Sequence, residues 1–362
     1  MLLHGILPPV TTSFYPDGRV YYKKIEHNVE RFSKTPVAGI VLLGSTGEAI
    51  MLSDEERREV LKTARAACAP HKVLIAGTGA ESAFETIRLT EYAAELGYDA
   101  ALVRTPHFYR PQMLPANLLA FYRTVADRSP IPVLIYSVPV FTKYDMPPEL
   151  VIQLAEHPNI IGIKESGGDA AKIRQMVEGT RHIKRGATVT ETFAAVTPRM
   201  LKGAKADANG NGSLVPVGVL VGGESDAGQA TRSSSSAVTT MGNLKTRQKE
   251  VGFQILAGAA QRLLPSLQAG AVGAVLAFAV PAPTACYEVY AAWKEKDEEL
   301  AKLKQDRISA AATRVGSELG IPGLKYAMDL NGYYGGPPRL PLLPLTAESK
   351  IEVERMMQDI RH

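Results

Sequence analysis

The chain has little cysteine, no long apolar run and no block of basic residues, and each absence excludes a class of protein. Only Cys68 and Cys286 occur among 362 residues, which excludes a disulfide framework and predicts buried free thiols in a reducing compartment. No apolar run approaches the roughly 18 residues of a transmembrane helix. Basic residues alternate with acidic ones, as in KEKDEELAKLKQDR, which disfavours nucleic acid as a partner. The start, MLLHGILPPV, lacks the basic end of a signal peptide, so a cytoplasmic location is expected.

The usual signatures of metal and nucleotide sites are absent or incomplete. The stretch DANGNG, from Asp207, matches half of a calcium loop, but Gly218 stands where a bidentate glutamate is needed. The stretch VLIAGTGAES imitates a dinucleotide fingerprint, with Asp99 about twenty residues beyond Gly77, but Ser82 replaces the third glycine. No metal and no organic cofactor are therefore expected.

Short apolar runs recur along the chain, and amphipathic stretches with apolar residues three and four apart follow most of them. Runs that are apolar throughout are typical of parallel strands, which are buried on both faces. Eight such units in succession predict a closed (β/α)8 barrel, an α/β fold, rather than an open sheet. The eight runs are GILPPVTT, AGIVLLGST, KVLIAGTG, AALVRTP, PVLIYSVP, IIGIKES, FQILAGAA and AVGAVLAFAV.

One long segment interrupts this order before the seventh strand. Residues 181–250 are rich in glycine, serine and alanine, which predicts a largely flexible insertion, with TVTETFAAVTPRML and LVPVGVLVGG as candidates for local order. A connection from a helix to a strand lies on the face of a barrel opposite the catalytic one. The predicted barrel is then 1–283, and residues 284–362 form a C-terminal helical extension.

Lys164 ends the apolar run IIGIKES, where an unpaired ammonium is costly. Burial favours the neutral amine that a Schiff base requires. The alternative is a structural lysine that pairs with Glu165 or another neighbour. The residue type and its place leave both interpretations open.

Two more strand ends are predicted to lie at the same mouth, because chemistry in such barrels sits at the carboxyl ends of the strands. Tyr136 ends PVLIYSVP, where a phenol can transfer protons, although a buried structural tyrosine fits the same position. In GSTGE, Gly44 and Gly47 flank the hydroxyls of Ser45 and Thr46, and free backbone amides at such a turn suit a carboxylate. Taken alone, this turn fits an ordinary strand end better than a binding site.

The combination of GSTGE, YSVP and GIKESGGD resembles the dihydrodipicolinate synthase / N-acetylneuraminate lyase superfamily of pyruvate-dependent class I aldolases. SPIPVLIYSVP, EHPNIIGIKESGGD and LGIPGLKYAMDLNGYYGGPPR look most like 4-hydroxy-2-oxoglutarate aldolase. The resemblance covers roughly residues 4–180 and 251–350. It implies Lys164 as the Schiff-base residue, Tyr136 as the acid/base, Ser45 and Thr46 on the pyruvate carboxylate, and a homotetramer.

The chain departs from this family pattern at the aldehyde end. The lysine-pathway synthases carry an arginine five residues after the shuttle tyrosine, and Phe141 stands there. Phe108 replaces a tyrosine that many members lend to a neighbouring subunit, so the adjacent Tyr109 is a candidate for a rebuilt proton relay.

The sequence therefore predicts a lyase that cleaves a 4-hydroxy-2-oxo acid, with 4-hydroxy-2-oxoglutarate giving pyruvate and glyoxylate. A 4-hydroxy-tetrahydrodipicolinate synthase and a 2-keto-3-deoxy sugar-acid aldolase are alternatives in the same superfamily. A non-catalytic oxo-acid sensor, with the insertion binding a partner, is an alternative of a different class.

Overall fold

The computed structural model describes residues 1–201, 239–241 and 244–360. The strands are β1 Gly5–Ile6, β2 Gly39–Leu42, β3 Val73–Gly77, β4 Ala100–Arg104, β5 Val133–Ser137, β6 Ile160–Glu165, β7 Arg185–Thr190, β8 Thr239–Met241, β9 Leu244–Val251, β10 Gln254–Ala257 and β11 Gly273–Ala274. The helices are α1 Tyr22–Ser33, α2 Asp54–Ala67, α3 Ala83–Leu96, α4 Pro115–Arg128, α5 Pro139–Thr142, α6 Pro148–Ala155, α7 Ala170–Gly179, α8 Leu263–Gln268, α9 Pro283–Lys294, α10 Glu298–Ala311, α11 Gly320–Leu330 and α12 Ala347–Met357. A π-helical segment, Ala312–Glu318, joins α10 to α11.

Eight parallel strands form the barrel, in the order β1-β11-β10-β6-β5-β4-β3-β2. The sheet closes where the chain after β1 meets β2, with the Val10 N–H donating to the Val41 carbonyl at 2.8 Å. All eight strands lie in the eight apolar runs, so the predicted (β/α)8 fold is confirmed. Strands β5 and β6 are buried along their whole length, as expected for strands covered on both faces.

The strand β6 depends on one glycine for its close approach to β10. A Cβ at Gly162 would lie 2.2 Å from the Gln254 carbonyl oxygen, which no side chain tolerates. Gly162 precedes Lys164 by two residues and therefore faces the same side of the strand. The glycine thus sets the strand spacing beneath the predicted Schiff-base residue.

Polar residues begin and end the barrel helices. Ser53 and Glu56 form a reciprocal capping box at the start of α2, and the Ser82 side chain accepts from the Glu85 N–H at the start of α3. Gly97 ends α3 with φ of 85°, in the left-handed region that favours glycine. These caps satisfy backbone groups that would otherwise be unpaired at the helix ends.

The two ends of the insertion form a separate antiparallel sheet, in the order β7-β9-β8. Its apolar side chains, Ala187, Val189 and Val251, pack on Leu2 just ahead of β1. TVTETFAAVTPRML includes the end of β7 and the start of a helical turn. The other candidate for local order, LVPVGVLVGG, lies outside the described residues, as do residues 202–238 in general and the DANGNG stretch.

Two arginines attach the insertion to the amino-terminal ends of the barrel strands. Arg199 forms an ion pair of 2.9 Å with Asp99, which precedes β4, and burial raises the pKa of that carboxyl group. Arg185 donates to the carbonyls of Ala155, His157 and Ile160, around the start of β6. This is the face that the position of the insertion predicts, opposite the carboxyl ends where Lys164 and Tyr136 lie.

The helices after β11 pack on the barrel. Helix α9 contacts β1, so the predicted boundary at residue 284 falls one residue inside a helix that completes the ring. Helices α10 to α12 extend beyond it and share the main apolar core through residues such as Ile308, Leu324 and Val353. Both cysteines are buried and free, as predicted.

His4, at the amino-terminal end of the barrel, has a pKa well below that of an ordinary histidine. Burial, together with the positive charges of Lys249 and Lys294, lowers the pKa of His4 to about 4. In the unfolded chain a histidine takes up its proton near pH 6.5, so His4 destabilises the fold as the pH falls from about 6.5 to 4. Because His4 is only half-buried, we expect a loss of about 1 to 3 kcal/mol in the free energy of unfolding.

Urea denaturation at pH 7 and pH 5 checks this expectation. The His4→Gln variant should lose less stability between the two pH values than the wild type, because glutamine takes up no proton. His27→Gln, on α1, is the matched control and should keep the wild-type difference. Equal pH dependence in wild type and His4→Gln would contradict the assignment.

Candidate active site

Lys164 lies at the carboxyl end of β6 and has no carboxylate partner. Its side chain faces the barrel interior, only 4% of the residue is exposed, and no described carboxylate lies within ion-pair distance. Glu165 lies on the opposite face of the strand, where Lys172 pairs with it at 2.9 Å and the Gly167 N–H donates to it. The pairing with Glu165 that offered a structural explanation of Lys164 is therefore not formed.

Tyr136 lies beside Lys164 on the neighbouring strand. The two residues are direct partners in the β5–β6 register, and the Lys164 Nζ atom lies 4.0 Å from the centre of the tyrosine ring. Tyr136 is 5% exposed, and its hydroxyl lies 3.3 Å from the Ser45 Oγ atom. An amine and a phenol thus share one mouth of the barrel, as the sequence predicts.

The GSTGE turn follows β2 and adds hydrogen-bond donors to this mouth. Ser45–Gly47 forms one 3₁₀ turn, and among the described residues the N–H groups of Ser45 and Thr46 donate to no protein group. The Thr12 hydroxyl donates to the Gly47 carbonyl at 2.6 Å, which fixes the turn against the chain after β1. A Cβ at Gly47 would lie 3.0 Å from a backbone carbonyl, so the turn is closely packed there, whereas Gly44 lines the open side.

Glu48, the last residue of that turn, has a structural role that the sequence did not reveal. It adopts a left-handed conformation with φ of 53° and is fully buried. Its carboxylate forms an ion pair of 2.6 Å with Lys325 on α11 and accepts the Arg339 N–H at 2.9 Å. Burial lowers the pKa of Lys325, and the charge of Glu48 opposes that effect. The C-terminal helices are therefore linked directly to the turn that carries Ser45 and Thr46.

A cavity of about 390 Å³ lies at the same mouth. Its lining includes Ser45 and Tyr136 but not Lys164, and Glu81, Arg104 and His107 add charged and titratable groups. The sequence analysis missed these three residues. Arg104 in AALVRTP was the available signal, because it is the last residue of β4 and the carboxyl ends of barrel strands carry functional residues.

Hydrogen bonds hold the Glu81 carboxylate in place. It accepts from an Arg104 nitrogen at 2.6 Å and from the N–H groups of His107 and Phe108 at 2.9 Å each. Burial raises the pKa of Glu81, but these hydrogen bonds together outweigh it and lower the pKa below its ordinary value. Glu81 is therefore a carboxylate at neutral pH.

Three aromatic residues that the sequence analysis singled out at the aldehyde end lie on the surface of the chain. Phe108 and Tyr109 are 76% and 67% exposed and contact each other edge to face, and neither is a hydrogen-bond partner of the Tyr136 hydroxyl among the described contacts. Phe141, on α5, is 59% exposed. The single chain therefore does not bring Tyr109 to Tyr136.

The nucleotide pattern has no matching geometry, and the DANGNG stretch lies outside the described residues. Gly77 ends β3 at the carboxyl side of the barrel, whereas Asp99 lies at the amino side and pairs with Arg199. Within residues 1–201, 239–241 and 244–360, no group of three or more metal-ligating side chains occurs. No helix in the same ranges is long and apolar enough to cross a membrane.

A buried, unpaired lysine beside a tyrosine at the carboxyl face of a (β/α)8 barrel defines a site suited to imine chemistry. Comparison with known proteins agrees with this class. The model of the Dihydrodipicolinate synthetase family matches residues 2–202 and 230–360, most of the chain. The chain belongs to this family, whose members are pyruvate-dependent class I aldolases and lyases.

Several similar curated proteins are named 4-hydroxy-tetrahydrodipicolinate synthase. That of Methanosarcina mazei is 37% identical over 179 residues, which cover 49% of this chain and 60% of the relative. That of Xanthomonas campestris is 41% identical over 177 residues, covering 49% of this chain and 58% of the relative. That of Methanothrix thermoacetophila is 28% identical over 356 residues, covering 98% and 96% of the two chains. The first two matches thus span less than two thirds of the relatives.

Solved structures share the fold. The dihydrodipicolinate synthase of Acinetobacter baumannii, complexed with pyruvate, is 25% identical with a TM-score of 0.75, and the match covers 99% of both chains. A prophage protein of the same family from E. coli K12, in complex with pyruvate, is 25% identical with a TM-score of 0.74 and the same coverage. The superfamily resemblance is confirmed. The closer likeness to 4-hydroxy-2-oxoglutarate aldolase is not, since the names of these relatives fit the synthase alternative better.

Proposed function

We propose that this chain is a class I aldolase that makes or breaks a carbon–carbon bond next to pyruvate through a Schiff base on Lys164. The observation that carries the proposal is the buried Lys164 amine, which lacks a carboxylate partner and lies 4.0 Å from the Tyr136 ring. The family and the pyruvate complexes of two similar structures support the same donor. The covalent lysine acts as the electron sink, so no metal or organic cofactor is required.

In the cleavage direction, the neutral Lys164 amine attacks the 2-oxo carbon of a 4-hydroxy-2-oxo acid. Tyr136 gives its proton to the departing hydroxide of the carbinolamine, so that water leaves and a protonated imine and a tyrosinate remain. Tyr136 takes the proton of the 4-hydroxyl group, the bond between C3 and C4 breaks, and its electron pair moves into the imine to form an enamine. The aldehyde leaves, and Tyr136 returns the proton to C3 of the enamine. Hydrolysis of the imine then releases pyruvate, regenerates the amine and returns a proton to Tyr136.

The turn after β2 is suited to the pyruvate carboxylate. The free N–H groups of Ser45 and Thr46 lie beside their own hydroxyls, between Gly44 and Gly47. Donors fixed by the backbone bind an anion without having to be ordered first. Carboxylate binding at this turn places the 2-oxo carbon within the mouth that Lys164 and Tyr136 share.

For the aldehyde half, the resemblance of SPIPVLIYSVP and EHPNIIGIKESGGD to 4-hydroxy-2-oxoglutarate aldolase supports glyoxylate, and thus 4-hydroxy-2-oxoglutarate as the cleaved acid. Phe141 stands where the resemblance implies an arginine for the carboxylate of the synthase substrate, and its exposed ring offers no charge. The names of the relatives favour the second candidate, the 4-hydroxy-tetrahydrodipicolinate synthase reaction with aspartate semialdehyde. A 2-keto-3-deoxy sugar-acid aldolase remains the third member of this class.

A panel of aldehydes tests both the proposed aldolase reaction and the proposed choice of aldehyde. With pyruvate in excess, we expect glyoxylate to be consumed at least about tenfold faster, in kcat/KM, than aspartate semialdehyde, a difference of about 1.4 kcal/mol. Faster turnover of aspartate semialdehyde would assign the synthase reaction instead. No turnover of any aldehyde, with pyruvate still bound, would support the oxo-acid sensor.

We also propose that the chain acts as a cytoplasmic homo-oligomer. Two buried free thiols support a reducing compartment. Exposed apolar side chains on the β2 to β4 side of the mouth, including Ile50, Phe84 and Phe108, support self-association. The homotetramer stays a prediction, which the mass in solution tests.

A further inference from the structure

A second cavity, of about 470 Å³, lies at the amino-terminal ends of the barrel strands. The chain around β1, the loops before β2 and β3, and the second half of α9 enclose it. Residues 192–195 of the insertion, which follow β7, complete its wall. The cavity is on the face of the barrel opposite Lys164 and Tyr136, and its volume suits a small organic molecule.

One wall of this second cavity holds a buried tyrosine whose hydroxyl has no protein partner. Tyr290, on α9, is 5% exposed, and its ring centre lies 5.7 Å from that of Trp293. Within the part of the chain that the structure describes, its hydroxyl forms no hydrogen bond, and burial raises the pKa of Tyr290 to about 12. The hydroxyl therefore keeps its proton at neutral pH. Buried donors are nearly always paired, so a phenol that lines a cavity without an acceptor indicates a ligand there.

Positive charges converge on the same cavity. Lys294 lines it beside His4, and neither side chain forms a hydrogen bond or an ion pair with a described residue. Lys249 adds its charge, because Lys249 and Lys294 both oppose protonation of His4, and Lys294 also lowers the pKa of Lys249. Like charges that lie this close repel each other, and an anion in the cavity would remove that cost.

The other charged residues of the lining do not neutralise these lysines. Lys72 is 6% exposed and donates to the carbonyls of Thr35 and Val37 at 2.7 and 2.8 Å, so its charge has no carboxylate partner. Glu295 is the carboxylate of the described lining, and it is exposed to water just after α9. The cavity therefore carries an excess of positive charge.

Aromatic and apolar side chains form much of the remaining wall. Phe193 comes from the insertion, in a left-handed conformation with φ of 59° that is costly for a bulky residue. Its ring centre lies 5.7 Å from the Arg247 guanidinium and 5.8 Å from the Lys249 Nζ atom. Tyr287 adds a second ring from α9. The apolar lining residues include Leu2, Val37, Ala194 and Ala195.

We propose that this cavity is a second ligand-binding site, which takes a small aromatic carboxylate. The Tyr290 hydroxyl and the one N–H of neutral His4 donate to the carboxylate, and Lys294 supplies the opposite charge. The aromatic ring of the ligand packs on Tyr287 and Phe193. The insertion thus contributes a wall of the site. This binding goes beyond the proposed aldolase function and does not depend on it.

Isothermal titration of the full chain with phenylacetate, phenylacetamide and acetate tests the proposal. Phenylacetamide keeps the ring without the charge, and acetate keeps the charge without the ring. We expect phenylacetate to bind at least about tenfold more tightly than either, because each control lacks one half of the recognised chemistry.

Two variants locate the site. Tyr290→Phe keeps the buried ring and should weaken phenylacetate binding about tenfold, because one donor to a charged acceptor is lost. Lys294→Met removes an exposed charge and should weaken it about two- to fivefold. Tyr92→Phe is the matched control, since Tyr92 on α3 packs under Arg58 outside the cavity lining. Tyr92→Phe and Lys164→Ala should both keep the wild-type affinity.

The remaining outcomes overturn the proposal. No saturable binding of phenylacetate, or equal affinity for the acid and its amide, would show that the positive charges recognise no carboxylate. Inorganic phosphate that binds as tightly as phenylacetate would assign the charges to a simple anion and leave the rings without a role. Wild-type affinity in both Tyr290→Phe and Lys294→Met would place the ligand elsewhere, and loss of binding in Lys164→Ala would place it at the catalytic mouth. Thermal midpoints check folding, and Lys294→Met carries the test if Tyr290→Phe is destabilised.

Discussion

Replacement of Lys164 by alanine is expected to abolish both the pyruvate adduct and turnover. The covalent intermediate needs this amine, and among the described residues the mouth offers no second lysine beside Tyr136. We expect kcat to fall by at least about 10⁴-fold, as for other essential nucleophiles. Intact mass after borohydride reduction with pyruvate measures the adduct, and peptide mapping locates it.

The control for this prediction is Lys62→Ala, which removes an exposed lysine of α2 and should leave adduct and rate unchanged. Folding is checked separately by the thermal midpoint, because alanine at position 164 removes a buried side chain without leaving a charge. An adduct on Lys164→Ala, or mapping of the wild-type adduct to another lysine, would contradict the assignment of the nucleophile.

The barrel and the pair at its mouth could be predicted because both follow from local patterns. Apolar runs bounded by turns mark parallel strands, and parallel neighbours bring their carboxyl ends together. Lys164 and Tyr136 are 28 residues apart in sequence yet are direct partners in the β5–β6 register. A strand end that is otherwise apolar makes a lysine conspicuous, and that signal needs no tertiary information.

The sheet built by the insertion was hidden by its composition. Strand β9 buries only Thr246 and Val251 among eight residues, and charged side chains occupy much of the rest. Such a strand gives almost no apolar pattern, and its partner β7 is separated from it by more than fifty residues of sequence. Its order depends on tertiary contacts such as Val189 with Leu2 and Arg199 with Asp99, which no local pattern reveals.

The residues around the cavity of the candidate site could not be predicted for the same reason, since tertiary structure alone brings them together. Glu81, Arg104 and His107 lie on a loop, a strand end and another loop, and they form a cluster only when the barrel closes. The link between Glu48 and Lys325 joins the second strand to the C-terminal helices. The family resemblance of GSTGE implied that this turn binds substrate, and nothing in the motif indicated that its last residue would hold the extension.

Lys325→Met is expected to lower the free energy of unfolding by about 3 to 5 kcal/mol, because it leaves the buried charge of Glu48 without its partner. Both side chains are at most 1% exposed, so water cannot replace the lysine. Lys325 also donates to the Pro337 carbonyl and packs on the Phe14 ring, and methionine keeps only the packing. Because Glu48 ends the turn of Ser45 and Thr46, KM for pyruvate should rise as well.

Lys302→Met is the matched control, since Lys302 pairs with Asp306 on the exposed face of α10 and its loss should cost less than about 1 kcal/mol. The double variant Glu48→Gln, Lys325→Met should recover part of the stability, because the amide carries no charge and still accepts the Arg339 N–H. Equal urea midpoints for Lys325→Met and Lys302→Met would show that the extension is held by apolar packing alone. A stability loss with unchanged KM would mean that the ion pair fixes the helices without shaping the substrate turn.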